Sequence, residues 1–181
     1  MKFLADNIGS ERSPNGIAGA LTSAGSKTTN KTVSLYVTAL EEAFLFYRPA
    51  RYDLHGKALL KTNPEEYIVD TGFRIWMAGY RVTDIGRLFE NAVYFQLLYE
   101  GWSVHMGKLY GKQADFVTTK DGRVLYVQAT NEMFARETRE CETAPLKSMR
   151  DIHEKIMVVR QGSYDIDIDG IRIVSVRDFF L

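Results

Sequence analysis

Apolar residues recur every three or four positions through the first 45 residues, and this pattern predicts three short helices. The first stops at Gly9. The second starts at Ser13-Pro14, where serine can cap a helix and proline suits its first turn, and it stops at Gly25. Asn30 is the expected cap of the third helix. Its apolar face comprises Val33, Tyr36, Val37, Leu40 and Phe44.

The pattern changes after the third helix. Short runs rich in aromatic and β-branched residues predict strands at 45–52, 57–61 and 67–69, with a turn at 53–56. Three helices followed by a hairpin make a winged helix. We therefore predict a winged-helix domain over residues 1–72.

The second half of the chain starts with a strongly amphipathic helix, which begins at Thr83 or Asp84 and ends at Gly101. The elements predicted after it are strands at 103–109, 114–119 and 124–130, a helix at 136–152, and strands at 156–159 and 171–176. This order predicts an α/β sandwich with a mixed sheet over residues 73–181. The fold class of the whole chain is therefore expected to be α/β (α+β).

A hairpin in the second half allows side chains to be placed opposite each other. Asp121-Gly122 is a strong two-residue hairpin turn, and counting back from it sets Asp115 across from Gln128. Thr130 points to the same face as Gln128, because side chains alternate along a strand.

Polar residues at these positions, together with Glu90 in the preceding helix, form a familiar arrangement. A helix acid, a strand acid and an acid-x-lysine pair on the next strand form the metal centre of the restriction-endonuclease-like superfamily, which this chain resembles. The resemblance implies a catalytic set of Glu90, Asp115, Gln128 and Thr130. It also implies that Glu90 and Asp115 hold Mg²⁺, the cofactor that would generate the attacking hydroxide.

The match to the superfamily is incomplete. Gln128 stands where the second acid is expected, and Thr130 stands where the lysine is expected. Either the site is degenerate and the fold is kept for binding, or Lys108 or Lys112 supplies the missing charge from a neighbouring strand.

The overall charge does not favour an anionic partner. The chain has 23 basic and 23 acidic residues, so contact with nucleic acid has to come from a local patch. Cys141 is the single cysteine, which excludes an internal disulfide and a multi-cysteine zinc site. No apolar stretch is long enough to cross a membrane, and we expect a cytoplasmic protein.

The first residues lack the features of a secretion signal and read as a helix already under way, so we expect the chain to start inside a longer protein. Two weaker patterns are interpreted as structural. Residues 165–170 imitate the start of an EF-hand loop but lack its final glutamate, so we predict an acidic turn there. His55, His105 and His153 are scattered without metal-ligand spacing.

Several spaced blocks carry a family resemblance. They include Ser13-Pro14-Asn15, Arg51-Tyr52-Asp53, Asp84-Ile85-Gly86-Arg87-Leu88, Ala114-Asp115-Phe116-Val117 and Tyr126-Val127-Gln128. The chain resembles the domain of unknown function that follows the ATPase core in many archaeal and bacterial AAA-type ATPases. The resemblance implies a winged helix, a nuclease-like fold and the ATPase core as a partner. No G-x-x-x-x-G-K-[ST] loop occurs here, so no ATP site is expected in this chain.

A winged helix places its third helix in the major groove and its wing on phosphates. That geometry nominates Asn30, Lys31 and Ser34 for the groove and Lys57 for the wing. The leading hypothesis is a DNA-engaging region of an ATPase with a degenerate nuclease site, and its DNA could be duplex or branched. The alternatives are a Mg²⁺-dependent endonuclease and a protein-docking module of the ATPase. The pattern leaves the oligomeric state open.

Overall fold

The computed structural model of the protein describes residues 1–53, 58–60, 65–109, 112–149 and 151–181, which form both helices and strands. Residues 53, 58–60, 108–109 and 112–113 are described by their backbone alone. The helices are α1 Lys2–Asp6, α2 Pro14–Ser23, α3 Asn30–Glu42, α4 Thr71–Ala78, α5 Ile85–Tyr99, α6 Arg136–Lys147 and α7 Val176–Phe180. The strands are β1 Phe46–Tyr47, β2 Arg51–Asp53, β3 Ala58–Leu60, β4 Tyr67–Ile68, β5 Ser103–Leu109, β6 Lys112–Lys120, β7 Arg123–Met133, β8 Glu154–Gly162, β9 Asp167–Ile168 and β10 Ile171–Ser175.

The chain divides into two units that differ from the predicted ranges. The first comprises Met1–Pro49 and Thr62–Arg81, and the second comprises Ala50–Lys61 and Val82–Leu181. The boundary does not fall at residue 72, because α4 spans that position and packs against α1. Arg74 of α4 is 1% exposed and donates from Nε to the carbonyl of Ala5 at 3.2 Å.

The three N-terminal helices form as predicted, with one difference in capping. Ser13 caps α2 by accepting the amide of Gly16 at 3.0 Å. Thr29, and not Asn30, caps α3, because its extended backbone lets its hydroxyl accept the amide of Thr32 at 3.2 Å. The buried apolar residues of this region are Leu4, Ala5, Ile8, Ile17, Ala18, Val33 and Val37.

The strands between the helical regions pair differently from a single hairpin. The predicted strand at 45–52 is interrupted at Pro49, which has no amide hydrogen to continue a ladder. Before the break, β1 pairs with β4 in a two-stranded sheet in the first unit. After it, β2 pairs antiparallel with β3 and parallel with β5 in the second unit. The predicted hairpin of the wing therefore belongs to another sheet, and the winged helix stays a prediction.

The large sheet confirms the mixed α/β class. Its strand order is β3-β2-β5-β6-β7-β8-β10-β9. Strands β5, β6 and β7 form an antiparallel meander, whereas β8 runs parallel to β7 and β10 runs parallel to β8. None of the helices in the described residues is long and apolar enough to cross a membrane.

Helices α5 and α6 cover opposite faces of this sheet. The Tyr94 ring of α5 lies 5.8 Å from the Phe116 ring of β6. Leu146 of α6 packs in a cluster with Val117 and Tyr126. Because neighbouring residues on a strand point to opposite sides, Phe116 and Val117 mark the two faces. Helix α6 ends at Lys147, earlier than predicted. Ile152, at the end of the predicted range, is 99% exposed, so it adds no apolar contact that would stabilise a further helical turn.

The turn between β6 and β7 has the geometry that its sequence predicts. Asp121 and Gly122 have φ values of 50° and 76°, as a type I′ turn requires. Phe116 pairs with Val127, so the register is the predicted one. A second turn of this kind joins β9 to β10, where Asp169 and Gly170 also have positive φ. The acidic stretch at 165–170 therefore ends in the predicted turn, and this turn closes a hairpin.

Replacing Gly122 by alanine should lower the free energy of unfolding by about 1 kcal/mol, because an L side chain strains the backbone at positive φ. No atom lies within 4 Å of the added methyl group, so the change isolates backbone strain. Gly19→Ala in α2 is the matched control, with equally open space and an expected gain of up to about 1 kcal/mol. Urea unfolding measures both, and a neutral Gly122→Ala would contradict the turn.

Candidate functional site

Asp115 and Gln128 lie together where the regular pairing of β6 with β7 ends. Met106 pairs with Phe116 but Gly107 pairs with Ala114, so Asp115 is an extra residue in a bulge of β6. Its Oδ2 accepts the amide of Ala129 at 2.7 Å, and its own amide donates to Oε1 of Gln128 at 3.4 Å. The two side chains thus take over hydrogen bonds that a regular ladder would make between backbones.

Thr130 lies two residues further along β7, on the face that α6 covers. It is 2% exposed, and its hydroxyl donates to Oε2 of Glu142 on α6 at 3.2 Å. The sequence did not nominate Glu142, because only the packing of α6 on the sheet brings it to Thr130. An acidic side chain thus stands beside Thr130, where the sequence resemblance led us to expect a lysine.

Glu90 is half-buried on α5, which covers the other face of the sheet. A methyl group added at Gly86 of this helix would lie 3.8 Å from Cβ of Asn131, an α5-facing residue of β7. Gln128 and Thr130 face α6, so the sheet lies between them and the helix that carries Glu90. Lys108 and Lys112 lie on β5 and β6, but their side chains are outside the described residues.

The donor set at these positions fits Mg²⁺ poorly. The ion prefers several oxygens at octahedral positions, with carboxylates as protein ligands. Asp115 is the one acid that the strands contribute, and one of its oxygens accepts the Ala129 amide. Among the described residues, no three His, Cys, Asp or Glu side chains form a group that could hold a metal ion.

A row of three residues with a polar side chain at each end crosses the α6 face beside this site. His105 pairs with Val117, which pairs with Tyr126, so the three lie side by side across the sheet. Tyr126 donates to Oδ2 of Asp151 at 2.6 Å, and burial together with this bond raises the pKa of its hydroxyl. Burial lowers the pKa of His105 and favours its neutral form.

Both histidines of this region contact aromatic rings. The His105 ring lies 6.2 Å from that of Tyr52, and the His153 ring lies 5.9 Å from that of Tyr126. Nδ1 of His105 is buried and has no hydrogen-bond partner among the described residues. Sequence spacing gave no signal for this row, because strand register alone aligns its members.

Three of the four residues nominated for nucleic acid lie on one exposed face of α3. We call this surface the α3 face; it comprises Asn30, Lys31, Ser34, Leu35, Thr38, Ala39 and Glu42. Val33 and Val37 on the other side of the helix are buried, so burial fixes which residues point outward. Leu35 is 72% exposed. Lys57, the fourth nominated residue, lies outside the described residues.

A buried glutamate in the first unit is held by an arginine. Glu66, whose side chain is 3% exposed, has Oε1 3.8 Å from Nε of Arg48, and Nη1 of Arg48 lies 3.2 Å from Oε2 of Glu41. Burial raises the pKa of Glu66 to about 7, with Arg48 opposing the shift and Glu41 and Glu65 adding to it. The cluster connects the end of α3 to the β1–β4 ladder.

The chain is similar to a protein of known sequence from a bacterium. An uncharacterized protein of Haemophilus influenzae is 39% identical over 179 residues, which are 99% of this chain and 44% of that protein. The chain thus spans less than half of the relative's length, and the similarity extends over both units. No protein-family model matches the chain.

Asp115→Ala should lower the free energy of unfolding by about 1 to 3 kcal/mol, because it leaves the Ala129 amide without its acceptor. Asp115→Asn keeps an oxygen at that place and should cost less. Urea unfolding of the two variants gives the comparison. Equal losses would show that the carboxylate does not act through this hydrogen bond.

The free energy of unfolding should fall as pH rises from about 4.5 to about 7. In the folded state Glu66 has a pKa of about 7, above its ordinary 4.5, so folding favours its protonated form. The stabilisation is complete below 4.5 and is lost as pH passes 7, with a size of up to about 3 kcal/mol.

Glu66→Gln should flatten this dependence on pH, because the amide cannot titrate. Urea unfolding at several pH values provides the measurement. Glu137→Gln, at an exposed position on α6, is the control and should leave the slope unchanged. An unaltered slope in Glu66→Gln would assign the pH dependence to other groups.

Proposed function

We propose that the chain is a DNA-engaging region of a larger prokaryotic AAA-type ATPase, acting in the cytoplasm, in which a nuclease-like domain has lost cleavage. The observation that carries the proposal is the use of Asp115 and Gln128 to hold backbone amides at the place of the expected metal centre. The order α5, β5 to β7, α6, β8 supports a restriction-endonuclease-like core around them.

The loss of cleavage follows from the chemistry of the positions. Phosphodiester hydrolysis with Mg²⁺ needs carboxylates that hold the ion and a base or positioned water. Gln128 offers a neutral amide, and Thr130 has an uncharged hydroxyl that donates a hydrogen bond to Glu142 where a cation would be expected. Glu90 belongs to α5, which covers the face of the sheet opposite to Gln128 and Thr130. The site is therefore suited to holding the strands together more than to activating water.

DNA contact is assigned to the α3 face within a winged helix formed by the first unit. Helices α1 to α3 and the β1–β4 ladder are the parts of that arrangement present in this unit. Asn30, Lys31 and Ser34 are exposed at the start of α3, where a recognition helix meets base edges. With Lys31 as the cation of this face, few counterions would be released and binding would be weak.

The ATPase core is the proposed partner within the full-length protein. The Haemophilus relative is more than twice as long as the matched region, which leaves room in it for such a core. Its name carries no statement of activity, so this partner rests on the sequence resemblance.

A docking module is the second candidate, because the first unit has no net charge. It contains seven basic and seven acidic residues. Leu35 and Tyr36 are 72% and 68% exposed on α3. Exposed apolar side chains on a neutral surface favour a protein partner over a polyanion.

Titration with labelled duplex, branched and single-stranded DNA, with and without Mg²⁺, tests the proposal. We expect salt-sensitive binding without cleavage. Lys31→Ala should weaken duplex binding and reduce the salt slope by about 1, because one phosphate contact is removed. Arg136→Ala, which removes an exposed charge from α6, is the control and should leave binding unchanged.

Other outcomes of the titration point to the alternatives. Mg²⁺-dependent products that disappear in Asp115→Asn would establish an endonuclease and contradict the proposal. Absence of binding to every DNA would leave docking as the function of the first unit.

A further inference from the structure

The α3 face has two charged residues, Lys31 and Glu42. Each lies at the end of α3 where the helix dipole is unfavourable for its charge. Lys31 lies in the first turn of α3 and Glu42 lies in its last. The amino end of a helix carries partial positive charge and the carboxyl end partial negative charge, so each side chain meets a charge of its own sign. Neither has an ion-pair partner in the described part of the chain. An antiparallel neighbouring helix would place an end of opposite partial charge beside each of the two side chains.

The spacing of the face suits such a neighbour. Lys31, Leu35, Thr38 and Glu42 are separated by four, three and four residues, which makes one stripe along the helix. This is the alternation of core positions in a helix pair. Ser34 and Ala39 flank the stripe with small side chains that allow close approach of two backbones.

The stripe is complementary to itself. When a second α3 lies antiparallel about a twofold axis that passes between Tyr36 and Val37, Lys31 faces Glu42 and Leu35 faces Thr38. Symmetry repeats each contact, so the helix pair has two oppositely charged pairs at its ends and two layers of Leu35 against Thr38 between them. A parallel pair would instead set Lys31 against Lys31 and Glu42 against Glu42.

We infer that the α3 face binds the α3 face of a second copy of this chain, antiparallel, to form a symmetric dimer. A pair of 13-residue helices buries less than the roughly 1,200 to 2,000 Å² of a stable interface, so the dimer is weak and depends on concentration. Glu42 and Lys31 give the face both signs of charge, which a second copy of the same face complements.

Sedimentation equilibrium of the chain from about 10 μM to about 1 mM, at low salt, tests the dimer. Lys31→Glu and Glu42→Lys should each weaken association at least roughly tenfold, because each sets like charges face to face. The chain with both substitutions restores opposite charges and should associate within about threefold of the original. Lys27→Glu, in the exposed segment before α3, is the matched control and should have no effect.

Orientation is tested by mixing two cysteine variants in a Cys141→Ser background. Leu35→Cys and Thr38→Cys chains, mixed in equal amounts, should be joined by a short bis-maleimide more efficiently than either variant alone. Circular dichroism checks that the exposed substitutions leave the helices intact. A chain that stays monomeric, a double charge reversal that fails to restore association, or equal cross-linking in all three samples would overturn the inference.

The dimer does not depend on the proposed DNA contact. Adding duplex DNA to the dimer distinguishes the two hypotheses. Asn30, Lys31 and Ser34 are covered in the dimer, so duplex DNA that binds them should convert dimer to monomer. A dimer that forms but ignores DNA would contradict the DNA contact alone. DNA binding by a chain that never dimerises would contradict the dimer alone.

Discussion

The antiparallel pairing of β6 with β7 is the constraint on which the second unit depends. The type I′ turn at Asp121-Gly122 fixes one register, and a shift of one residue would move every side chain of β7 to the other face. That register sets Val127 towards α5 and Tyr126 towards α6, so both helices find apolar surface. The bulge at Asp115 lets β6 follow β5 after the regular ladder with β7 ends.

Buried polar groups near the bulge are satisfied locally. Asp115 accepts a backbone amide, Thr130 donates to Glu142, and Tyr126 donates to Asp151. An unsatisfied buried donor or acceptor is costly, so these contacts stabilise the packing of α6 and of the segment after it. Two of these residues, Asp115 and Thr130, belong to the reduced catalytic motif that the sequence resemblance implies. Their hydrogen bonds show how such positions can remain polar while serving the fold.

The first unit is stabilised by an apolar interior and by ion pairs at its edges. Val33 and Val37 fix the orientation of α3, and the Arg48 cluster holds its end beside the β1–β4 ladder. What remains outside is a helix face with opposite charges at opposite ends. A surface of this kind has a direction, so it can fix the orientation of a partner that binds it.

The sequence by itself determined the local elements. Helix caps, glycine stops and the Asp121-Gly122 turn act over a few residues. The cap at Ser13, the stop at Gly101 and the position of Asp115 beside Gln128 could therefore be predicted from spacing. Helix α4 was missed because it is one short helix of eight residues with an interior glycine, Gly72, near its start.

The tertiary structure decided which strands share a sheet and which side chains meet. Pro49 separates β1 from β2, yet nothing local to β2 shows that it pairs with β5, some fifty residues away. The packing of α6 on the sheet brings Glu142 to Thr130. Strand register aligns His105 with Tyr126 across the sheet. Such contacts depend on the global burial of apolar faces, which no short stretch of sequence specifies.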